Sequence, residues 1–154
     1  MSQSQIQQSA AAHLYPDKII LVTRNNRDDA VSYFTDDITV LPADVSDYEL
    51  GKYLVEHIHR SRVDAESYEY FREFRQTYKK KGKFRTEKAT MLIVKYASVS
   101  TVDGVFTFLP YRNLFPERGW KAFHRIPENL FVRELGNDYA QIGRSMRDAW
   151  DKSI

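Results

Sequence analysis

The sequence predicts an α+β fold, a mainly antiparallel β-sheet with about three helices packed on it. Three observations predict it. Short β-branched and apolar runs recur along the chain, each bounded by turn residues. Asp103-Gly104, set between two such runs, is the two-residue hairpin signal that makes its flanking strands antiparallel. Other stretches place apolar residues four apart and open on capping residues, as amphipathic helices do.

Lys18-Ile19-Ile20-Leu21-Val22-Thr23 reads as the first strand. Asn25 to Asp29 is a turn, and Val31–Phe34 and Ile38–Leu41 read as a strand pair around Thr35-Asp36-Asp37. Pro42 ends that run. Ser46 with Glu49 three residues on is a capping box, and the helix it opens aligns Leu50, Leu54 and Ile58. A second helix is predicted over Ala65–Lys79, with Phe71, Phe74 and Tyr78 on one face and Gly82 as its stop. Met91–Val102 and Val105–Leu109 form the hairpin, and Pro110–Lys121 reads as an irregular loop. Leu130–Leu135 is a last strand, and Asp138 caps a terminal helix facing inward through Ile142, Met146 and Trp150. Residues 1–16 read as a flexible amino-terminal segment and 17–154 as one domain.

One pattern occurs twice. An extended apolar run leads into a capped helix bearing Leu or Ile, then Gly, then Lys or Arg: Leu50-Gly51-Lys52 in the first copy and Ile142-Gly143-Arg144 in the second. Gly inside a helix costs about 0.5–1 kcal/mol relative to Ala. Its recurrence in the same frame suggests a helix that must approach another backbone closely.

At 154 residues the chain can bury roughly two-thirds of its unfolded surface in a single core. It has no Cys, which excludes a disulfide framework, a thiolate metal site and a Cys nucleophile. The stretch Met1–His13 lacks the basic and apolar regions of a signal peptide, and no apolar run reaches a membrane-spanning length, so a cytoplasmic protein is expected. The net charge of +2 hides a separation along the chain. Seven acids lie between Asp28 and Glu49 with no Lys or Arg among them, whereas Arg75–Lys88 carries seven cations and the single acid Glu87. Patches of this kind steer encounters.

No catalytic constellation stands out. His57 and His59 are two apart on a predicted helix and point to different sides, so they cannot share a metal ion. There is no Gly-rich phosphate loop and no nucleophile elbow. The pairs Asp28-Asp29 and Asp36-Asp37 fall in predicted turns, where adjacent acids are ordinarily solvated. No enzyme activity, metal or cofactor is expected. The basic segment 75–88 would suit nucleic acid, yet its aromatics fall at helical spacing and are expected to pack inward. The acidic block is the more suggestive patch, because carboxylates offered to the Lys and Arg residues of a nuclease cleft speed capture and add specificity. If an outer strand of the Met91–Leu109 hairpin lies at the sheet edge, it offers a second contact by strand addition, or Lys95 protects that edge by its charge.

The series Val40-Leu41-Pro42-Ala43-Asp44-Val45-Ser46-Asp47-Tyr48-Glu49-Leu50-Gly51, with Ser61-Arg62 closing the helix, resembles the contact-dependent growth inhibition immunity proteins of the CdiI type. So do Lys83-Phe84-Arg85-Thr86-Glu87-Lys88-Ala89-Thr90-Met91, Asp103-Gly104-Val105, Pro110, Trp120 and the Ile142-Gly143-Arg144 helix. The likeness runs from about residue 38 to 150. It implies a small cytoplasmic protein that binds and neutralises the carboxyl-terminal toxin domain, commonly a nuclease, of a cognate delivered effector. Inhibition would be by occlusion in a one-to-one complex, without membrane or direct nucleic-acid contact. Asp28, Asp29, Asp36, Asp37 and Asp44, with Lys95 at the hairpin, are the expected contact residues. The alternative is a small nucleic-acid-binding protein using the segment 75–88.

Overall fold

A computed structural model describes residues 8–26, 32–62, 70–113 and 123–154. Seven strands form one antiparallel sheet: β1 (Gln8–Leu14), β2 (Lys18–Asn26), β3 (Ser32–Pro42), β4 (Lys95–Val102), β5 (Val105–Asn113), β6 (Phe123–Arg125) and β7 (Phe131–Glu134). The order across the sheet is β3-β2-β1-β4-β5, and β6 and β7 share the outer side of β5 end to end. The helices are α1 (Asp47–Arg60), α2 (Tyr70–Lys81), a single turn α3 (Glu87–Thr90) and α4 (Tyr139–Asp151). None among the described residues is long and apolar enough to cross a membrane.

Because successive strand residues face opposite sides, the sheet carries two cores. On one face Ala10, Ala12, Ile19, Leu21, Val99 and Phe108 pack under Leu50, Leu54 and Ile58 of α1 and Ile142, Met146 and Trp150 of α4. On the other, Ala11, Ile20, Val22, Tyr96 and Tyr111 meet Phe74 and Tyr78 of α2. The capping box forms as expected, Glu49 N–H donating to Ser46 Oγ at 3.1 Å, and Asp138 caps α4 from Gln141 N–H at 3.2 Å.

The repeated Gly motif has a direct structural meaning. A Cβ on Gly51 would lie 1.8 Å from the Tyr139 carbonyl oxygen, and one on Gly143 would lie 1.9 Å from that of Asp47. The two copies therefore pack against each other, each helix fitting its glycine against the first turn of the other. Arg147 secures the crossing by donating to Asp47 at 2.8 Å and to the Val45 carbonyl at 2.5 Å.

Several expectations need correction. Gln8–Leu14 is no flexible segment but the central strand, paired with both β2 and β4, and Ala10, Ala11 and Ala12 are fully buried. β3 is one strand rather than a pair: Val22 faces Ile38 and Arg24 faces Phe34, so three residues, Thr35 to Asp37, bulge opposite Thr23. β5 continues through Pro110 to Asn113, with the Pro110 carbonyl accepting from Ile126. At the end of α2, Lys83 and not Gly82 takes the left-handed conformation (φ 58°), with Phe84 N–H donating to Lys79 and Lys83 N–H to Lys80. The hairpin turn is as predicted, with Asp103 at φ 52° and Gly104 at 80°. Neither hairpin strand is an edge, however: β4 lies between β1 and β5, and β5 is covered by β6 and β7. Lys95 is thus no edge guard; its ammonium donates to the Ser153 carbonyl at 2.9 Å and ties β4 to the segment after α4.

Candidate partner-binding surface

The bulge in β3 builds a polar node where β2, β3 and α1 meet. Thr35 holds the bulge, its hydroxyl donating to the Thr23 carbonyl at 2.9 Å and accepting from Asp37 N–H at 3.2 Å. This turns the Asp37 carboxylate toward Thr23 and the last turn of α1. Arg60 Nε donates to Asp37 at 2.6 Å, and Thr23 Oγ1 donates to it at 2.5 Å. With that proton committed, Thr23 Oγ1 accepts from His57 Nδ1–H at 2.8 Å, and His57 Nε2 accepts from the Thr39 hydroxyl at 2.7 Å.

Both imidazole nitrogens are therefore occupied in the neutral form. Burial pushes the His57 pKa down to about 4, against the opposing pull of Asp37. Burial also acts to raise the Asp37 carboxyl, but Arg60, Thr23 and His57 outweigh it and hold it below the usual carboxylate range. Nucleophilic catalysis needs an imidazole that takes the hydroxyl proton and a carboxylate that orients the imidazole. Here the threonine stands between the two and donates its hydroxyl hydrogen bond to the carboxylate. The node is a clasp holding α1 to the sheet. Among the described residues, no three His, Asp or Glu side chains are placed to hold a metal ion.

Outside the clasp lies an open cleft of ≈ 440 Å³, lined by Thr35, Asp36, Asp37, His59, Arg60 and Arg62. Of the expected contact residues, Asp36 and Asp37 line this cleft. Asp28 and Asp29 lie outside the described residues. Asp36 is exposed on the cleft, whereas Asp37 is half-buried and bound to Arg60. Asp44 is exposed before the start of α1, the far end of a helix about 20 Å long from Arg60. Among the described acids, Asp36 and Asp37 share the cleft and Asp44 lies away from it, and the sequence reading missed the cations Arg60 and Arg62 that α1 brings beside the pair. The signal was available: a capped helix of this length, packed back over β1 and β2, returns the side chains of its last turns to the strand it left.

The basic segment 75–88 lies on α2, α3 and the turn between them. Lys80, Lys83, Arg85 and Lys88 are exposed, while Arg75 pairs with Glu87 at 3.4 Å and Lys81 donates to the Ile38 carbonyl of β3. Phe74 and Tyr78 are fully buried and unavailable for stacking on bases; Phe71 lies outside the described side chains.

Comparison with solved structures places this architecture. One structure aligned over 96% of this chain and 98% of its own belongs to a CdiA-CT/CdiI toxin and immunity complex from Yersinia pseudotuberculosis, at a TM-score of 0.79 and 14% identity. The fold resembles that of a chain of this complex. A protein of unknown function from Neisseria meningitidis aligns over the whole of both chains, with a TM-score of 0.77 and 18% identity. No protein-family model matches the sequence, and no curated protein matches it significantly. At identities this low the likeness is one of fold, and it spans all the elements that carry the clasp, the cleft and the glycine crossing.

Proposed function

We propose that this chain is an immunity protein that neutralises the toxin domain of a contact-dependent growth inhibition effector. The observation that carries the reading is the near-complete structural likeness to a component of a CdiA-CT/CdiI toxin and immunity complex. The motifs from Val40 to Gly51 and from Ile142 to Arg144, which resemble those of immunity proteins in sequence, form the α1–α4 crossing at the centre of that fold. The partner is the toxin domain, bound one to one in the cytoplasm, and inhibition is by covering its active centre. No turnover is involved, in keeping with a histidine–threonine–aspartate node whose protons are arranged for holding and not for attack.

The toxin is a nuclease in this reading. Among the described residues of the acidic block, Asp36 and Asp44 are exposed carboxylates available to its phosphate-binding cations, while Asp37 serves the clasp. An inhibitor that must outlast its toxin needs a dissociation constant at the nanomolar level or below, about −12 kcal/mol, over a standard-size interface with buried anchors. The decisive experiment co-expresses this chain with the carboxyl-terminal domain of the effector encoded beside it. Cells should survive, and the two purified proteins should form a stable one-to-one complex; continued killing with no complex removes the proposal.

A further inference from the structure

A second concavity, of ≈ 290 Å³, lies on the α2 side of the sheet, beyond the tyrosines that α2 covers. Its floor is a row of cross-strand neighbours: Arg24 of β2 faces Ser9 of β1, Ser9 faces Ser100 of β4, and Ser100 faces Thr107 of β5. Residues paired in this way share one face of the sheet, with Cβ atoms about 5 Å apart. The next row toward α2 is Val22, Ala11, Ser98 and Leu109, so the face changes from apolar to hydroxyl-bearing within one pleat.

Two features set this row apart from an ordinary solvated strand face. Ser9 is only 6% exposed, and its hydroxyl has no hydrogen-bond partner among the described residues although it belongs to the lining of the concavity. Buried hydroxyls are almost always paired, and an orphan costs about 1–3 kcal/mol. Arg24 is half-buried in mid-sheet, and among the described residues it has no carboxylate in ion-pair reach and its guanidinium makes a long 3.4 Å contact to the Tyr111 hydroxyl. Arg125 of β6 lines the same concavity. Burial acts to raise the Tyr111 phenol, yet Arg24 and Arg125 help hold it below its ordinary value, a sign of the positive field in the recess.

We propose that this recess binds one oxyanion group, a carboxylate or a phosphate, between Arg24, Arg125 and the hydroxyls of Ser9, Ser100 and Thr107. The planar guanidinium presents paired donors that match either group, and the hydroxyls supply further donors at the floor. The site is separate from the Asp36 cleft and stands or falls independently of the toxin partner.

Titrating the full chain with inorganic phosphate or acetate, against chloride at matched ionic strength, tests it through backbone amide shifts. Saturable one-site changes should centre on Ser9, Arg24, Ser100 and Thr107. Arg24→Gln should weaken binding roughly tenfold or more. Thr107→Val, an isosteric change at a half-exposed position, should weaken it several-fold and carries the test if Arg24→Gln does not fold. Tighter phosphate binding supports the site and assigns it to a phosphate monoester; tighter acetate binding supports it and assigns it to an acidic side chain or a chain terminus. Shifts that chloride reproduces, or affinities unchanged in a folded variant, overturn it.

Discussion

His57 shows how much one residue does here beyond filling space. Its ring is held neutral between Thr23 and Thr39, with its pKa pushed down to about 4 from the ordinary 6.5. Between those values the unfolded chain carries a proton that the folded chain refuses, so stability rises with pH across the window and falls as pH drops from about 6.5 to about 4. At 1.36 kcal/mol per pKa unit the loss reaches about 3 kcal/mol, and the lowered Asp37 carboxyl adds to it below that range. His13, buried and pushed down to about 3 chiefly by desolvation, acts in the same direction. Urea unfolding at pH 7 and pH 4.5 should show the fall, and His57→Gln should remove most of the part due to this residue while lowering stability at pH 7. A fall of the same size in the variant would mean that His57 is not held neutral. None of this was readable from the sequence, where Asp37 and His57 stand twenty positions apart and Thr35-Asp36-Asp37 reads as a turn. Short polar residues suit a turn and a bulge equally well, and only the pairing with Thr23 separates the two.

Among the elements, the α1–α4 crossing was the most legible, because the same Leu/Ile-Gly-Lys/Arg frame appears twice and each copy follows its own cap. Adding a methyl at either glycine forces the helices apart, since backbone carbonyls and not flexible side chains occupy the space. Gly51→Ala and Gly143→Ala should each destabilise by about 2 kcal/mol or more, although Ala favours an isolated helix by about 1 kcal/mol. The double variant should lose less than the sum, because helices already separated leave room for the second methyl. Midpoints of urea unfolding measure both; a stabilised single variant would contradict the close approach. β1 was illegible for a related reason. Gln8-Ser9-Ala10-Ala11-Ala12 has small residues in place of the β-branched alternation that marks a strand, because both its faces lie under packed layers. Tertiary context overrides propensity there.

At the scale of the whole molecule, the surface is more divided than the linear charge pattern suggests. Asp37 and Asp47 are spent on Arg60 and Arg147, which leaves Asp36 and Asp44, among the described Asp residues of the acidic block, as exposed carboxylates at opposite ends of α1. Asp36→Lys with Asp44→Lys should leave the melting temperature nearly unchanged, as surface substitutions generally do, and slow association with the toxin domain roughly tenfold at low salt. Asp37→Asn should do the reverse, lowering stability by about 1–3 kcal/mol through the clasp with little effect on association. Rapid mixing at two ionic strengths together with thermal melts distinguishes them. Association unchanged in the double Lys variant would take the acidic residues out of the recognition.

The place of β1 also governs how the chain must find its shape. Its ladder with β4 joins residues 81 to 93 positions apart, and closing a loop of that length costs about 4 kcal/mol in chain entropy before any pairing rewards it. The β1-β2-β3 meander and the β4-β5 hairpin can each form from neighbours in sequence, whereas the seam between them has to wait for both. Folding should therefore be limited by zipping that seam, so that Ala12→Gly, which loosens it at its middle, slows refolding more than it speeds unfolding.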